Sequence, residues 1–299
     1  MGTSSISSAE TSAIAMNPFL LRADNLSVRI GHPPNEAVRE ASFEIRRGEV
    51  LGLAGESGSG KSVTALALTG LLPGSANPVC SGTVTLDGET GNLLRMRPSR
   101  LRPIRGKRIA YVFQEPSSSF NPVYSIGAHL REILALRKIP RTDRASLIEE
   151  TLRQVGLEPS PENLEAFPND FSGGMLQRLA IACALATEPD LLIADEPTTA
   201  LDTSTQARIV SLLQALNHQR GMSILFISHD LALLKQVAPR MAVMRQGYIV
   251  EQGRSSDLLQ NPAHTYTQAL VSSIPKLRLP GADSRKAIIL PCGKADLKG

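Results

Sequence analysis

The stretch that decides the fold is Gly55-Glu56-Ser57-Gly58-Ser59-Gly60-Lys61-Ser62. It fits the pattern G-x-x-x-x-G-K-[ST], in which glycines let the backbone curl so that successive N–H groups face a phosphate. The apolar run 50–54 before it predicts a strand. Residues 62–72 after it predict a helix, ended by Pro73-Gly74, whose positive N-terminal end faces the same anion.

A nucleotide phosphate chain needs several donors at once, and this loop offers them. Lys61 supplies a movable charge for the β- and γ-phosphates, and the Ser62 hydroxyl is a ligand for Mg²⁺. The predicted contacts to the bound nucleotide come from Gly55, Glu56, Ser57, Gly58, Ser59, Gly60, Lys61, Ser62 and Val63.

A second apolar run, residues 191–194, ends in the acid pair Asp195-Glu196. Ligands in an open α/β sheet lie at the carboxyl ends of the strands, so these acids are expected beside the phosphate loop. There Asp195 would hold Mg²⁺, directly or through water. Glu196 would orient and deprotonate the attacking water.

Short apolar runs alternate with helical patterns along most of the chain, which predicts the α/β class. Residues 83–86 with Asp87-Gly88 resemble a hairpin strand and turn, and residues 242–244 and 248–250 flank Gln246-Gly247 in the same way. The helical pattern of residues 125–156 and 176–186 predicts an inserted helical subdomain at about 117–188. Residues 1–16, rich in Ser, Thr and Ala, predict a disordered tail.

The charge and the apolar runs of the chain limit the classes of protein to which it can belong. The net charge of +4 is mild for 299 residues and does not imply nucleic acid. Residues 95–108 carry seven basic side chains and no acidic one, which fits a solvated loop or a contact with lipid headgroups or an acidic partner. The longest apolar run, residues 179–186, is far below the roughly 18 residues of a membrane span. Membrane attachment would therefore require a partner.

Further motifs follow the phosphate loop in a fixed order. They are Gln114 in Val112-Phe113-Gln114-Glu115-Pro116, Phe171-Ser172-Gly173-Gly174-Met175, Asp195-Glu196-Pro197, Ala200-Leu201-Asp202, and His229 in Ile227-Ser228-His229-Asp230. This order, over about residues 20–273, resembles the nucleotide-binding subunits of ATP-binding cassette (ABC) transporters. The resemblance implies a P-loop NTPase core with an antiparallel β subdomain, an inserted helical subdomain, and ATP hydrolysis with Mg²⁺.

The resemblance also implies a role for each motif. Gln114 would reach Mg²⁺ and couple the site to the helical subdomain. His229 would touch the γ-phosphate and hold the water and Glu196 in place. Ser172, Gly173, Gly174 and Met175 would close over the γ-phosphate held by a second ATPase subunit, with Asp202 at the dimer contact.

Two departures from the family pattern stand out. The signature normally ends in Gln and here ends in Met175, which puts a polar contact at that position in doubt. The family usually stacks adenine on an aromatic side chain before the phosphate loop, yet no Phe, Tyr or Trp lies between residues 20 and 42. His32 is the nearest candidate by spacing, and weaker discrimination between ATP and GTP is expected.

The C-terminal residues indicate a branch of the family. Asn261-Pro262-Ala263-His264-Thr265-Tyr266-Thr267 resembles the extension of peptide and nickel importers, so we divide the chain into an ABC ATPase domain (17–260) and an extension (261–299). Some such importers hold an iron–sulfur cluster on clustered cysteines. Because Cys292 stands alone, no cluster is expected.

That branch implies the partners of the chain. They would be a second, non-identical ABC ATPase, two integral membrane permeases and, through these, an extracytoplasmic solute-binding protein. The ATPase would lie on the cytoplasmic face of the cell inner membrane and energise import of a peptide, nickel or a metal chelate. An ATPase subunit of a soluble phosphonate-metabolising complex stays open as the alternative, whereas a nucleic-acid partner is not expected.

Overall fold

The computed structural model describes residues 18–199 and 201–274. The predicted tail (1–16) and Cys292 therefore lie outside the described residues. Within the described part of the chain, no helix is long and apolar enough to cross a membrane.

Nine strands of the described chain form two sheets. The strands are β1 Phe19–Ile30, β2 Asn35–Arg46, β3 Val50–Ala54, β4 Val79–Leu86, β5 Ile109–Val112, β6 Leu191–Asp195, β7 Ser223–Ser228, β8 Arg240–Arg245 and β9 Tyr248–Arg254. The larger sheet has the order β5-β6-β7-β3-β8-β9 and is parallel except for β9. The central strands β3, β6 and β7 are buried at every residue, as their apolar runs predict for a sheet covered on both faces.

The smaller sheet, β2-β1-β4, is antiparallel. The hairpin expected after residues 83–86 is wrong, because β4 pairs with β1 and the next strand, β5, belongs to the other sheet. The hairpin at Gln246-Gly247 is confirmed by the antiparallel pairing of β8 with β9.

Ten α-helices accompany the sheets in the described chain. They are α1 Lys61–Thr69, α2 Pro98–Leu101, α3 Ile126–Leu136, α4 Arg141–Gln154, α5 Pro161–Glu165, α6 Gly173–Leu185, α7 Thr203–Arg220, α8 Leu231–Val237, α9 Ser255–Gln260 and α10 Thr265–Ser272. Helix α1 ends earlier than predicted, because Gly70 adopts a left-handed conformation (φ 62°) and its N–H bonds back to the last turn.

The parallel sheet separates two hydrophobic cores. Alternate residues of β6 enter opposite cores: Leu192 and Ala194 face the core that includes α3, α4 and α6, whereas Leu191 and Ile193 face the core shared with α1 and the antiparallel sheet. The fold class is confirmed as α/β with a parallel and an antiparallel sheet. Helices α3 to α6 lie between β5 and β6 in the chain, so this helical segment leaves the sheet at the carboxyl end of β5, where the site is built, and rejoins it at the amino end of β6.

Candidate active site

The phosphate loop joins β3 to α1 and takes a shape that only glycine permits at two positions. Gly55 (φ 151°) and Gly60 (φ 106°) both lie in a region that favours glycine. A Cβ at Gly55 would lie 2.3 Å from the Met244 carbonyl oxygen, and one at Gly60 would lie 2.4 Å from the Ala37 carbonyl oxygen. These close backbone contacts fix the curl of the loop against two neighbouring strands.

Lys61 is the first residue of α1 and is only 4% exposed. Its Nζ donates hydrogen bonds of 2.8 Å to the carbonyl oxygens of both Gly55 and Glu56, and lies 3.9 Å from Glu196 Oε1. Burial lowers the pKa of Lys61, and the carboxylates of Glu196 and Asp195 oppose that shift. The ammonium group is therefore held inside the loop, where phosphate oxygens can replace the carbonyls.

Asp195, the last residue of β6, is held through both carboxylate oxygens. The Ser62 hydroxyl donates to Oδ1 at 3.1 Å, and the Tyr111 hydroxyl donates to Oδ2 at 2.7 Å. Burial raises the pKa of Asp195, although these two hydrogen bonds favour its ionised form. A hydroxyl and a carboxylate are hard oxygen donors that fit Mg²⁺, and Gln114 lines the cleft on which Ser62 lies.

Glu196 follows β6 in a left-handed backbone conformation (φ 45°), which is strained for a residue with a side chain. Its Oε2 accepts a 2.8 Å hydrogen bond from the Thr199 hydroxyl and lies 3.2 Å from His229 Nδ1. The Gln114 amide donates to the same oxygen at 3.4 Å. These contacts hold the carboxylate at the cleft that the phosphate loop also lines.

Lys61, Ser62 and Glu196 line one cleft of about 1070 Å³. Its walls include the phosphate loop, Gln114, Glu196 and His229, which all follow the carboxyl ends of adjacent parallel strands. The cleft continues to Ile30 and Arg39 of the antiparallel sheet. The cleft is lined by Ile30, at the end of β1, and not by His32, so the role of His32 beside the base stays a prediction.

The signature residues lie outside this cleft. Ser172 is the N-cap of α6, where its hydroxyl accepts a 3.4 Å hydrogen bond from the Met175 N–H, and both Ser172 and Gly173 are exposed. Asp202 caps α7, and hydrogen bonds from Ser204 and Thr205 lower its pKa. A Cβ on Gly174 would lie 3.0 Å from the Thr205 methyl carbon, so the two helix N-termini are neighbours.

Two contacts of the acid pair were not found from the sequence. Tyr111 reaches Asp195 because it pairs with Ile193 across β5 and β6, and Asp195 is two residues further along the same face. Thr199 reaches Glu196 through a tight turn in which the Thr199 N–H also bonds to the Glu196 carbonyl. The alternation of residues along β6 predicts which face of the sheet Asp195 lies on. Its contact with Tyr111 could be predicted only if the order of the strands in the sheet were known.

Comparison with known families agrees with this geometry. Residues 38–199 match the ABC transporter family, and residues 250–289 match the C-terminal region of oligopeptide/dipeptide transporters.

Two curated relatives and one solved structure are similar over most of the chain. The peptidoglycan transport ATP-binding protein YejF of Agrobacterium fabrum is 43% identical over 91% of this chain and 50% of its own length. The dipeptide transport ATP-binding protein DppD of Haemophilus influenzae is 43% identical over 86% of this chain and 78% of its own. The chain thus spans about half the length of the YejF relative and more than three quarters of DppD.

The dimeric ATP-binding cassette MJ0796, solved with ADP and Pi, superimposes with a TM-score of 0.69 and 26% identity, covering 79% of this chain and 98% of MJ0796. The motifs, the fold and these similarities agree. The chain belongs to the ABC transporter family, with a C-terminal region of the oligopeptide/dipeptide transporter type.

Proposed function

We propose that this chain binds and hydrolyses Mg-ATP to energise import of a small solute across a membrane. The observation that carries the proposal is that Lys61, Glu196 and His229 line one cleft at the phosphate loop, with Asp195 hydrogen-bonded to the cleft residue Ser62. A buried lysine, a carboxylate held by the Ser62 hydroxyl, and a strained glutamate beside a histidine make up the parts that phosphoryl transfer to water needs.

Each residue has a separate task. Lys61 exchanges its two carbonyl partners for phosphate oxygens, while the loop N–H groups bind the rest of the phosphate chain. Ser62, Asp195 and Gln114 would hold Mg²⁺, which neutralises charge on the β- and γ-phosphates. Glu196 orients a water and accepts its proton, and His229 holds the Glu196 carboxylate in place.

We propose that the signature residues act on ATP held by a second ABC ATPase subunit. Ser172 and Gly173 are exposed at the N-terminus of α6, so their hydroxyl and N–H groups can meet an anion from outside this chain. Gly174 and Met175 continue this first turn, and Asp202 lies beside it at the start of α7. ATP would then join two subunits, and hydrolysis would release them.

The proposed assembly is an importer with two membrane permeases, fed by an extracytoplasmic solute-binding protein. The ATPase would sit on the cytoplasmic face of the inner membrane, bound to the permeases. The match of residues 250–289 to the oligopeptide/dipeptide transporters and the similarity to the dipeptide transport protein DppD support a peptide as the solute. Nickel or a metal chelate, the other solutes of this branch, is supported by the sequence resemblance alone.

The proposed activity is tested by phosphate release from ATP, measured on the membrane complex that contains the chain. We expect hydrolysis with Mg²⁺ and none above background when EDTA removes the ion. Hydrolysis that continues in excess EDTA would contradict the assigned Mg²⁺ ligands. Absence of hydrolysis in an intact complex with its solute present would contradict the activity itself.

The base end of the cleft predicts weak discrimination between nucleotides. Ile30 and Arg39 line it, and an aliphatic side chain cannot stack on adenine as an aromatic ring does. We expect kcat/KM for ATP and GTP to agree within about tenfold, and Ile30→Tyr to improve ATP binding about threefold, because an aromatic contact contributes about 0.5–1.5 kcal/mol. A wild-type preference for ATP above a hundredfold would contradict this prediction.

A further inference from the structure

The C-terminal region contacts the phosphate loop through a hydrogen bond between Tyr266 and Glu56. The hydroxyl of Tyr266, in the first turn of α10, accepts a 3.1 Å hydrogen bond from the backbone N–H of Glu56. Tyr266 is 6% exposed, and the Arg245 guanidinium lies 4.8 Å from the centre of its ring. A side chain 210 residues away thus contacts the loop directly.

Tyr266 is itself held firmly by its surroundings. The Glu251 carboxylate on β9 accepts hydrogen bonds from the N–H groups of Ala263 (2.8 Å) and His264 (3.1 Å). His264 in turn accepts a 3.1 Å hydrogen bond from the Tyr266 N–H. Because the start of α10 is tied to β9 in this way, the Tyr266 hydroxyl has a fixed position relative to the loop.

The hydrogen bond acts on a peptide unit that also touches Lys61. The N–H of Glu56 and the carbonyl of Gly55 belong to the same peptide, which is planar and trans, so they point in opposite directions. The N–H bonds to Tyr266, and the carbonyl accepts a 2.8 Å hydrogen bond from Lys61 Nζ. Holding one end of this peptide therefore sets the direction of the carbonyl that holds the lysine.

We propose that Tyr266 is a positioning residue of the phosphate loop, through which the C-terminal region sets the affinity for Mg-ATP. The inference rests on the proposed role of the loop in binding ATP. Without the hydroxyl, the Gly55–Glu56 peptide can rotate and its carbonyl no longer holds Lys61 Nζ in one place. The ammonium group is then less often in the position that faces the phosphates. A partner that displaced α10 would weaken nucleotide binding by the same route.

The test is Tyr266→Phe, which keeps the buried ring and its contact with Arg245 and removes only the hydroxyl. Binding of Mg-ATP is measured by calorimetry in a Glu196→Gln background, and amide hydrogen exchange at Glu56 by ¹⁵N NMR. We expect about three- to tenfold weaker binding, the range given by one hydrogen bond. We also expect the Glu56 amide to exchange at least about tenfold faster. With Glu196 intact, kcat at saturating ATP is expected to change less than about twofold.

Tyr124→Phe is the matched control, since Tyr124 is a half-exposed tyrosine that does not line the cleft, and its variant is expected to bind Mg-ATP normally. Unchanged affinity and unchanged Glu56 exchange in Tyr266→Phe would overturn the inference. If Tyr266→Phe failed to fold, rapid exchange of the Glu56 amide in the wild type would overturn it as well. If the protein that keeps Tyr266 failed to bind Mg-ATP, the proposed function would be rejected instead.

Discussion

Replacing Glu196 with glutamine is expected to slow ATP hydrolysis by about 10²–10⁴-fold, the usual contribution of a general base, and to leave Mg-ATP binding nearly unchanged. Glutamine keeps the size of the side chain and can still accept hydrogen bonds from Thr199 and Gln114, whose donors lie 2.8 and 3.4 Å from Glu196 Oε2. It has no basic carboxylate to take the proton of the attacking water. The loss should therefore fall on kcat rather than on binding.

The measurement is single-turnover phosphate release together with calorimetric binding of Mg-ATP to the same samples. Glu165→Gln is the control, because Glu165 is an exposed acid at the end of α5 and does not line the cleft. Hydrolysis within about fivefold of wild type in Glu196→Gln would show that another group is the base. Equal loss in Glu165→Gln would point to a general effect of removing charge.

Replacing Lys61 with methionine is expected to weaken Mg-ATP binding by about 100-fold or more. Lys61 is the charged donor at the start of α1, and charged hydrogen bonds contribute about 1.5–3 kcal/mol each. Two such bonds to phosphate oxygens correspond to roughly 10²–10⁴ in affinity. Methionine fills most of the buried volume, so the change tests the charge more than the packing.

Calorimetry or competition with a fluorescent ATP analogue gives this affinity, and thermal unfolding reports whether the fold survives. Lys107→Met is the matched control, since Lys107 is exposed in the basic segment 95–108. Binding within about threefold of wild type in Lys61→Met would contradict the assigned role of the lysine. A similar loss in Lys107→Met would indicate that overall charge, rather than position, governs binding.

The curl of the phosphate loop was predictable from the sequence because its determinants are local. The spacing of Gly55, Gly60 and Lys61 requires a particular curl, and the structure shows both glycines in close backbone contacts that a Cβ would break. The apolar runs of β3 and β6 predicted buried parallel strands. Asp195, at the end of β6, therefore lies at the same edge of the sheet as the phosphate loop, which follows β3. The arrangement of Glu196 and His229 then followed from parallel strands sharing one carboxyl edge.

The remaining contacts depend on pairings that one sequence does not give. Tyr111 meets Asp195 only because β5 pairs with β6 in a particular register, and Tyr266 meets the loop only because β9 holds the start of α10. His32 was chosen by spacing along the chain. The structure places it in the turn after Ile30, which pairs with Asn35, so the strand residue rather than the turn residue faces the cleft.

The central claim is that this ATPase powers an importer. The most direct measurement is affinity purification of the chain from gently solubilised native membranes, followed by identification of the proteins that accompany it. We predict two integral membrane permeases, a second ABC ATPase and a solute-binding protein, whose bound ligand would name the transported solute. Recovery in the soluble fraction with enzymes of phosphonate metabolism, and without a permease, would contradict the importer and leave only ATP hydrolysis.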